Sequence, residues 1–224
     1  MMSNVVNFSS EFGPYKELYC KNFNKVQLSI HPKFAGIFYC FIEIYKGLQT
    51  NISQVIPDQK LIVWKDIENA GYTIANAIPW YLCFSKNPPA DVTLLVYPYP
   101  KYHNKIEQLK QISSDEFIHF ISSFRFDINQ INPIKLQRLI NTYISFQTIL
   151  KLNKESSQKP HRQMSLELLA QLLQCSRNQL NQRIKKINQQ RTHILNELSL
   201  NSRCVKELID HPNISLSTEK IWKI

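Results

Sequence analysis

Residues 164–187 read MSLELLAQLLQCSRNQLNQRIKKI, a pattern typical of two short amphipathic helices joined by a tight turn. Ser165 is placed to cap the first helix, with Met164 at the staple position before it. The predicted inward face of this helix has the i, i+3, i+4, i+7 spacing and consists of Leu166, Leu169, Ala170 and Leu173. Gln174 then falls in the turn, where glycine would adopt the required backbone more easily.

The second helix of this pair has a fuller start signal than the first. Ser176 and Gln179 have the spacing of a capping box, and Cys175 and Leu180 stand at the positions of a hydrophobic staple. The predicted inward face is Leu180, Ile184 and Ile187. The outward face carries amides and cations and no acid: Arg177, Asn178, Asn181, Gln182, Lys185 and Lys186.

This outward face has the chemistry of a DNA-reading helix. Arg suits guanine, Asn and Gln suit adenine, and Lys suits phosphate. We therefore interpret residues 164–187 as a DNA-binding helix-turn-helix whose recognition helix covers about 176–187. The alternative is an ordinary solvated helical hairpin without a ligand. The agreement of caps, turn, apolar positions and outward chemistry favours DNA binding.

The chain of 224 residues leaves room for one large domain or two modest domains, and we expect two. The best linker candidate is NKESSQKPHRQ at 153–163, because it is polar, basic and contains proline. We predict an α+β chain. Residues 1–152 would form a β-rich N-terminal sensor or dimerisation domain that ends in a long helix, and residues 164–224 an all-α helix-turn-helix domain.

The charge is uneven along the chain. The net charge is +10, of which the first 157 residues contribute +4 and the last 67 contribute +6. A positive field concentrates polyanions and makes their binding sensitive to salt, but it does not distinguish nucleic acid from an acidic membrane surface. The helix-turn-helix pattern makes double-stranded DNA the expected partner.

The cysteine pattern argues against a disulfide scaffold or a zinc site, since the number is odd and no pair has CxxC spacing. The five residues are expected to be small apolar core residues in a reducing compartment: Cys20, Cys40, Cys83, Cys175 and Cys204. No apolar run approaches the ~18 residues that span a membrane, and the first residues lack a signal sequence. We expect a cytoplasmic protein without membrane partners, metals or cofactors.

The first half of the chain contains strand-like segments. VQLSIH at 26–31 alternates apolar and polar residues, and IFYCFIEIY at 37–45 is rich in β-branched and aromatic residues. These two are expected to form a hairpin with His31-Pro32-Lys33 at its turn. Further strands are expected in LIVW at 61–64, GYTIANAIPWYLCF at 71–84 and VTLLVYPYP at 92–100. Together they predict a small antiparallel sheet or barrel, preceded by an irregular segment at 1–24.

Helical spacing begins after Pro100. One helix is expected around 106–112, a second from Ser113 or Ser114, and a third from Ile134 to about Leu152, with Pro133 in its first turn. The long apolar stripe of the third helix either packs in the core or pairs with a second copy. After the helix-turn-helix, a further long helix is expected from Gln190 to Asp210, followed by the start of another at 214–224.

Residues 163–221 resemble the DNA-binding domain of AraC/XylS-type transcription regulators. SLELLAQLLQCSRNQLNQRIKKI fits the first helix-turn-helix of that family, and HILNELSLNSRCVKELIDHPNISLSTEKI fits its connecting helix and exit. Ser176, Leu180 and the pair Ile184-Lys185 fall at the family's serine, leucine and aromatic-lysine positions, whereas Arg183 stands where an apolar residue is usual. By this resemblance, residues 214–224 would form only the first helix of the family's second helix-turn-helix.

A rival resemblance leads to the same class of function. LAQLLQCSRNQLNQRIKKI is also similar to the recognition unit of Crp/Fnr-type regulators, in which an LA…CSR…L…R run is common. Those proteins continue with a β-wing, so the helical pattern at 190–210 favours the AraC/XylS resemblance. Either family implies a β-rich sensor or dimerisation domain before the DNA-binding domain.

These observations predict a sequence-specific DNA-binding transcription regulator. Arg177, Asn178, Asn181 and Gln182 would read base edges, with Ser176, Lys185 and Lys186 nearer phosphates. One helix-turn-helix reads little sequence, so a homodimer with two such units ~34 Å apart is expected. The alternative function is a truncated regulator that acts by pairing with a full-length relative.

An enzyme is not expected, because the chain has no nucleophile elbow, P-loop or metal-binding histidine pair. The nearest approach to a catalytic cluster is Asp115, Glu116 and His119, which we interpret instead as the start of a helix. Seven aromatic residues could line a pocket for a small apolar effector or simply form the core: Trp64, Tyr72, Trp80, Tyr81, Phe84, Tyr97 and Tyr99.

Overall fold

The structure, a computed structural model, describes residues 14–20, 28–49, 60–65, 71–74, 78–79, 82, 92–98, 103–156 and 163–199. These residues form an α+β fold of five strands and six α-helices. The strands are β1 (Lys16–Cys20), β2 (Leu28–Ile30), β3 (Leu61–Lys65), β4 (Tyr72–Ile74) and β5 (Val92–Tyr97). The helices are α1 (Ala35–Tyr45), α2 (His103–Ser123), α3 (Pro133–Tyr143), α4 (Phe146–Ser156), α5 (Leu166–Leu172) and α6 (Arg177–Ser199).

The five strands form one mixed sheet in the order β1-β5-β3-β4-β2. β1 pairs with β5, and β3 with β4, in antiparallel orientation, whereas β5–β3 and β4–β2 are parallel pairs. The prediction of a purely antiparallel sheet or barrel is therefore wrong. Local sequence reveals strands, but their partners depend on how the chain crosses between them.

The strand predictions had mixed outcomes. Those at 61–64 and 92–100 are confirmed by β3 and β5, and β2 and β4 occupy short parts of the segments 26–31 and 71–84. Residues 78–79 and 82 are helical, so the strand prediction is wrong in this part of the segment 71–84. Residues 26–27, 75–77, 80–81, 83–84 and 99–100 lie outside the described part of the chain. The strand β1 lies in the segment 1–24, so the expectation of an irregular segment is wrong for residues 16–20. The pairing of β1 with β5 supplies its backbone hydrogen bonds, and local pattern does not reveal such a pairing.

The segment IFYCFIEIY is a helix, so the predicted hairpin at 26–45 is wrong. Its buried residues Ile37, Cys40, Phe41 and Ile44 have the i, i+3, i+4, i+7 spacing of one helix face. A short 3-10 helix at Pro32–Phe34 leads into it in place of the expected turn. A continuous apolar run fits a buried helix as well as a buried strand, and here burial overrides the β-propensity of its residues.

The helices after Pro100 are divided differently from the prediction. Ser113 and Ser114 were expected to start a helix, but both lie buried inside α2. The Ser114 hydroxyl donates to the Lys110 carbonyl one turn earlier (2.7 Å) and does not cap a helix start. The expected helix from 134 to 152 is two helices, α3 and α4. The extended backbone of Ile144 ends α3, and the hydroxyl of Ser145 accepts from the Gln147 N–H in the first turn of α4.

The two faces of the sheet enter separate clusters. Ile62, Trp64 and Tyr97 pack with the helices in the large core, whereas Leu61 and Leu94 belong to a smaller cluster on the other face. Of the seven aromatic residues that could have lined an effector pocket, Trp64 and Tyr97 are core residues and Tyr72 is half-buried. The other four, Trp80, Tyr81, Phe84 and Tyr99, lie outside the described residues.

The buried carboxylate of Glu43 joins α1 to the start of α3. Glu43 is 2% exposed, its Oε2 lies 2.9 Å from both Lys46 Nζ and Lys135 Nζ, and its Oε1 accepts from the Asn132 N–H (3.2 Å). Burial by itself would raise the pKa of Glu43. The hydrogen bonds from Lys46 and Lys135, the charge of Lys46 and the Asn132 N–H outweigh burial and lower that pKa.

At its other end α3 contacts α1 and the entry to the helix-turn-helix. Gly36 has no room for a Cβ, which would overlap the ring of Tyr143. The Asn141 side chain accepts from the Met164 N–H (2.6 Å) and donates to the Met164 carbonyl (3.2 Å). The buried side chains of α5 belong to the same core cluster as those of α1 and α3. The division into domains at 153–163 stays a prediction.

We expect Glu43→Gln to lower the free energy of unfolding by about 2 kcal/mol at pH 7, because it removes a hydrogen-bonded charge from a buried site. Since the folded-state pKa lies below the ordinary value of 4.5, this contribution is present above that value. It is lost as pH falls through the folded-state pKa. Urea unfolding between pH 3 and pH 7 should show the difference between wild type and variant shrinking in acid.

Glu17→Gln is the matched control for this experiment. Glu17 also forms an ion pair, with Lys60 at 2.7 Å, but both side chains are about half exposed, so solvent screens the pair. We expect little change in its stability. Equal stability of Glu43→Gln and Glu17→Gln at pH 7 would contradict the role given to the buried carboxylate.

Candidate nucleic-acid interface

The first helix of the predicted helix-turn-helix begins where the sequence indicates. The Ser165 hydroxyl oxygen accepts from the Leu168 N–H (3.1 Å), which confirms the predicted cap of α5. More side chains of this helix are buried than the predicted amphipathic face contains. Of the predicted face, Leu169, Ala170 and Leu173 are buried and Leu166 is half-buried, but two further residues are buried as well, Leu168 and Leu172.

The turn after α5 is closed by two backbone hydrogen bonds. The Cys175 N–H donates to the Ala170 carbonyl (3.0 Å) and the Gln174 N–H to the Gln171 carbonyl (3.1 Å), the pattern of a Schellman motif. Gln174 has φ of 52°, in the left-handed region that glycine adopts without cost. Its side-chain amide donates to the Ser122 carbonyl at the end of α2 (3.0 Å), which ties the turn to the rest of the fold.

The second helix has the predicted capping box. The Gln179 N–H donates to the Ser176 hydroxyl oxygen (3.2 Å), and the Ser176 N–H donates to Gln179 Oε1 (2.7 Å). These reciprocal bonds satisfy two backbone donors at the helix start and fix the first turn of α6. Cys175 and Leu180, at the predicted staple positions, both pack with the large core cluster.

The helix α6 continues to Ser199, so the predicted end of the recognition helix near 187 is wrong. The separate helix expected from Gln190 is the same helix, and residues 200–224, which include its expected end at Asp210, lie outside the described residues. The sequence signal was present, because no glycine or proline occurs between Arg177 and Ser199.

Two different contacts hold α6 on the protein. Leu180 is fully buried, whereas Ile184 and Ile187, also predicted to face inward, are half-buried. Between them the Arg183 Nε–H donates to the Ile131 carbonyl, just before α3 (3.0 Å). An arginine at this position, where the resembled family has an apolar residue, therefore serves as an anchor.

The predicted DNA-contacting residues do not all have the same exposure. Asn178, Gln182, Lys185 and Lys186 are exposed, while Asn181 is half-buried. Arg177 is exposed but lies 3.5 Å from the Glu167 carboxylate on α5. Ser176 is exposed as well, with its hydroxyl oxygen already accepting within the capping box.

The exposed polar face extends beyond the predicted site. Gln189, His193 and Asn196 are exposed and continue the spacing of Asn178, Gln182 and Lys185 along one side of α6. The predicted site does not include these residues because the recognition helix was expected to end near 187. The helix α6 contains five Lys and Arg residues and a single acid, Glu197, so its net charge is positive.

The cluster considered for catalysis lies in the middle of α2, so its interpretation as a helix start is wrong. Asp115 accepts from the Thr148 hydroxyl on α4 (2.7 Å) and from the Gln111 amide on α2 (3.0 Å), so it joins α2 to α4.

Burial raises the pKa of the Cys40 thiol to about 12 and also raises the pKa of the Cys175 thiol. Within the described residues no cluster of His, Cys, Asp or Glu could hold a metal ion.

No helix in the described part of the chain has the length and apolar character needed to cross a membrane. Comparisons with protein-family models, with curated proteins and with solved structures found no match to this chain. The resemblances to AraC/XylS-type and Crp/Fnr-type regulators therefore stay predictions that rest on the residues of α5 and α6.

We expect Gln174→Gly to be more stable than Gln174→Ala by about 1 kcal/mol, because both lose the bond to Ser122 but only glycine avoids the left-handed backbone penalty. Chemical denaturation of the two variants measures the difference. An alanine variant as stable as the glycine variant would show that the turn does not require positive φ.

Proposed function

We propose that this protein is a cytoplasmic, sequence-specific transcription regulator that places the first half of α6 in the major groove of double-stranded DNA. The observation that carries the proposal is the exposed face of Asn178, Gln182, Lys185 and Lys186, presented by a capped helix-turn-helix. Exposed amides can pair with adenine edges and lysines with phosphates, so this face combines base reading with backbone binding.

The contacts that hold α6 support the proposal. Base reading requires a helix of fixed orientation, because a bidentate contact tolerates little displacement. The capping box, the buried Leu180 and the Arg183 anchor hold the first half of α6 at three points. Arg177 is the weaker candidate for reading bases, since contact with DNA would compete with its interaction with Glu167.

The proposal includes a homodimer. A single recognition helix contacts only a few base pairs, and two copies related by twofold symmetry would bind half-sites one helical turn apart, at ~34 Å. The positive charge of α6 supports attraction to DNA but supplies no sequence preference. Specificity therefore depends on the amides and on the spacing of the two copies.

We expect random-library DNA selection with purified wild-type protein to enrich one motif, repeated at one-turn spacing. Asn178→Ala combined with Gln182→Ala should lose the enrichment, with each lost base contact costing about 1–3 kcal/mol. Gln171→Ala, an exposed glutamine on α5, is the matched control and should select the wild-type motif. A monomer that still selects a motif would contradict the dimer, and a double variant that selects the wild-type motif would contradict the reading face.

The two lysines give a separate prediction. Lys185→Gln combined with Lys186→Gln should weaken binding to all sequences by a similar factor and reduce the slope of log K against log salt by about 2. Fluorescence anisotropy over a salt titration measures this slope. An unchanged slope would show that these lysines do not contact phosphates. Binding that is weak and blind to sequence in every variant would reject the regulator and direct attention to a protein partner.

A further inference from the structure

A groove lies between α3 and α6, on the side of α6 opposite the proposed reading face. It is open to solvent on one side and has a volume of about 270 Å³. Its apolar lining is Ile134, Ile184 and Ile187, and its cationic lining is Lys135, Arg138 and Arg191. The other described residues of the lining are two asparagines, and no acidic residue among those the structure describes takes part. We call this feature the α3–α6 groove.

The cations of the α3–α6 groove are not equivalent. Lys135 is neutralised, because its Nζ lies 2.9 Å from the Glu43 carboxylate. Arg138 and Arg191 are exposed, and neither guanidinium forms an ion pair within the described residues. Arg138 stands on α3 and Arg191 on α6, so two positive charges without an ion-pair partner in the described part of the chain flank an isoleucine surface.

This combination restricts the chemistry of an occupant. A purely apolar molecule would remove water from the two guanidinium groups without replacing their hydrogen bonds, which is costly. A second copy of the chain brings a net charge of +10 to a positive surface. An apolar body with an anionic head satisfies both the isoleucines and the arginines. The cavity volume fits a molecule of roughly ten heavy atoms, near the lower end of the range for small-molecule sites.

We infer that the α3–α6 groove binds a small amphipathic carboxylate, with the carboxylate between Arg138 and Arg191 and the hydrocarbon part against Ile134, Ile184 and Ile187. The inference does not depend on DNA binding. It also places the ligand in a groove of the helical half, away from the sheet aromatics considered as an effector pocket. Because the ligand would contact both α3 and α6, its binding strengthens the attachment of α6 without covering Gln182 or Lys185.

Octanoate is a suitable probe, with 1-octanol as its uncharged counterpart and inorganic phosphate as an anion without an apolar body. Isothermal titration calorimetry should show saturable binding of one octanoate per chain, and thermal denaturation should show a rise in melting temperature with octanoate. We expect 1-octanol and phosphate to bind at least about tenfold more weakly, because each lacks one of the two interactions. Equal binding of 1-octanol, or no saturable binding of octanoate, would overturn the inference.

Variants locate the site. Arg138→Gln combined with Arg191→Gln should weaken octanoate binding by at least about tenfold, and Ile134→Gln should weaken it several-fold, since Ile134 is half exposed and its replacement leaves the core intact. Arg125→Gln removes one exposed arginine outside the groove and is the control for general charge. Equal losses in Arg125→Gln and in the groove variants would reject the site.

Two further readouts keep the experiment decisive. The melting temperatures of the unliganded variants should match wild type, and if the double variant does not fold, Ile134→Gln and the comparison of octanoate with 1-octanol still test the inference. Sedimentation equilibrium with and without octanoate tests the other occupant. Self-association that Ile134→Gln abolishes, together with no octanoate binding, would assign the groove to a second copy and overturn the inference.

Discussion

The buried charge of Glu43 is the interaction on which the helical half of the molecule depends. A carboxylate at this depth is stable only with full compensation, and both Lys135 and the Asn132 N–H at the start of α3 provide it. This fixes the first turn of α3 against α1. The last turn of α3 then holds Met164 through Asn141, so the position of the helix-turn-helix follows from the position of α3.

The helix α6 has two faces with different chemistry and different contacts. Its exposed face is polar and positive, as Gln182 and Lys185 illustrate, and is free to contact a polyanion. Its inner face meets α3 through the half-buried isoleucines, and the Arg183 anchor binds Ile131 just before α3. The groove on this inner side leaves the attachment of α6 incomplete. The capping box, Leu180 and Arg183 hold the first turns of α6, and the groove lies beside the turns that follow.

Local sequence patterns gave correct predictions where residues close together in sequence satisfy one another's hydrogen bonds. The Ser165 cap, the capping box of Ser176 and Gln179 and the strained turn at Gln174 all involve hydrogen bonds across five residues or fewer, so sequence spacing is sufficient to predict them. The helix start predicted at Ser113 or Ser114 is wrong. Serine is a common helix cap, but here both serines are buried inside α2, and the Ser114 hydroxyl bonds to the Lys110 carbonyl of the same helix.

The sequence by itself determined the helix-turn-helix, the exposed amides and lysines of α6 and the strands β3 and β5, because periodicity, caps and turn residues are local properties. Tertiary structure decided the rest. The segment 37–45 became a helix because its apolar residues are buried against α2 and α3. The pairing of β1 with β5 and the contact of Arg183 with Ile131 join residues far apart in the chain. No local pattern specifies such contacts, since their energy depends on which surfaces the folded chain brings together.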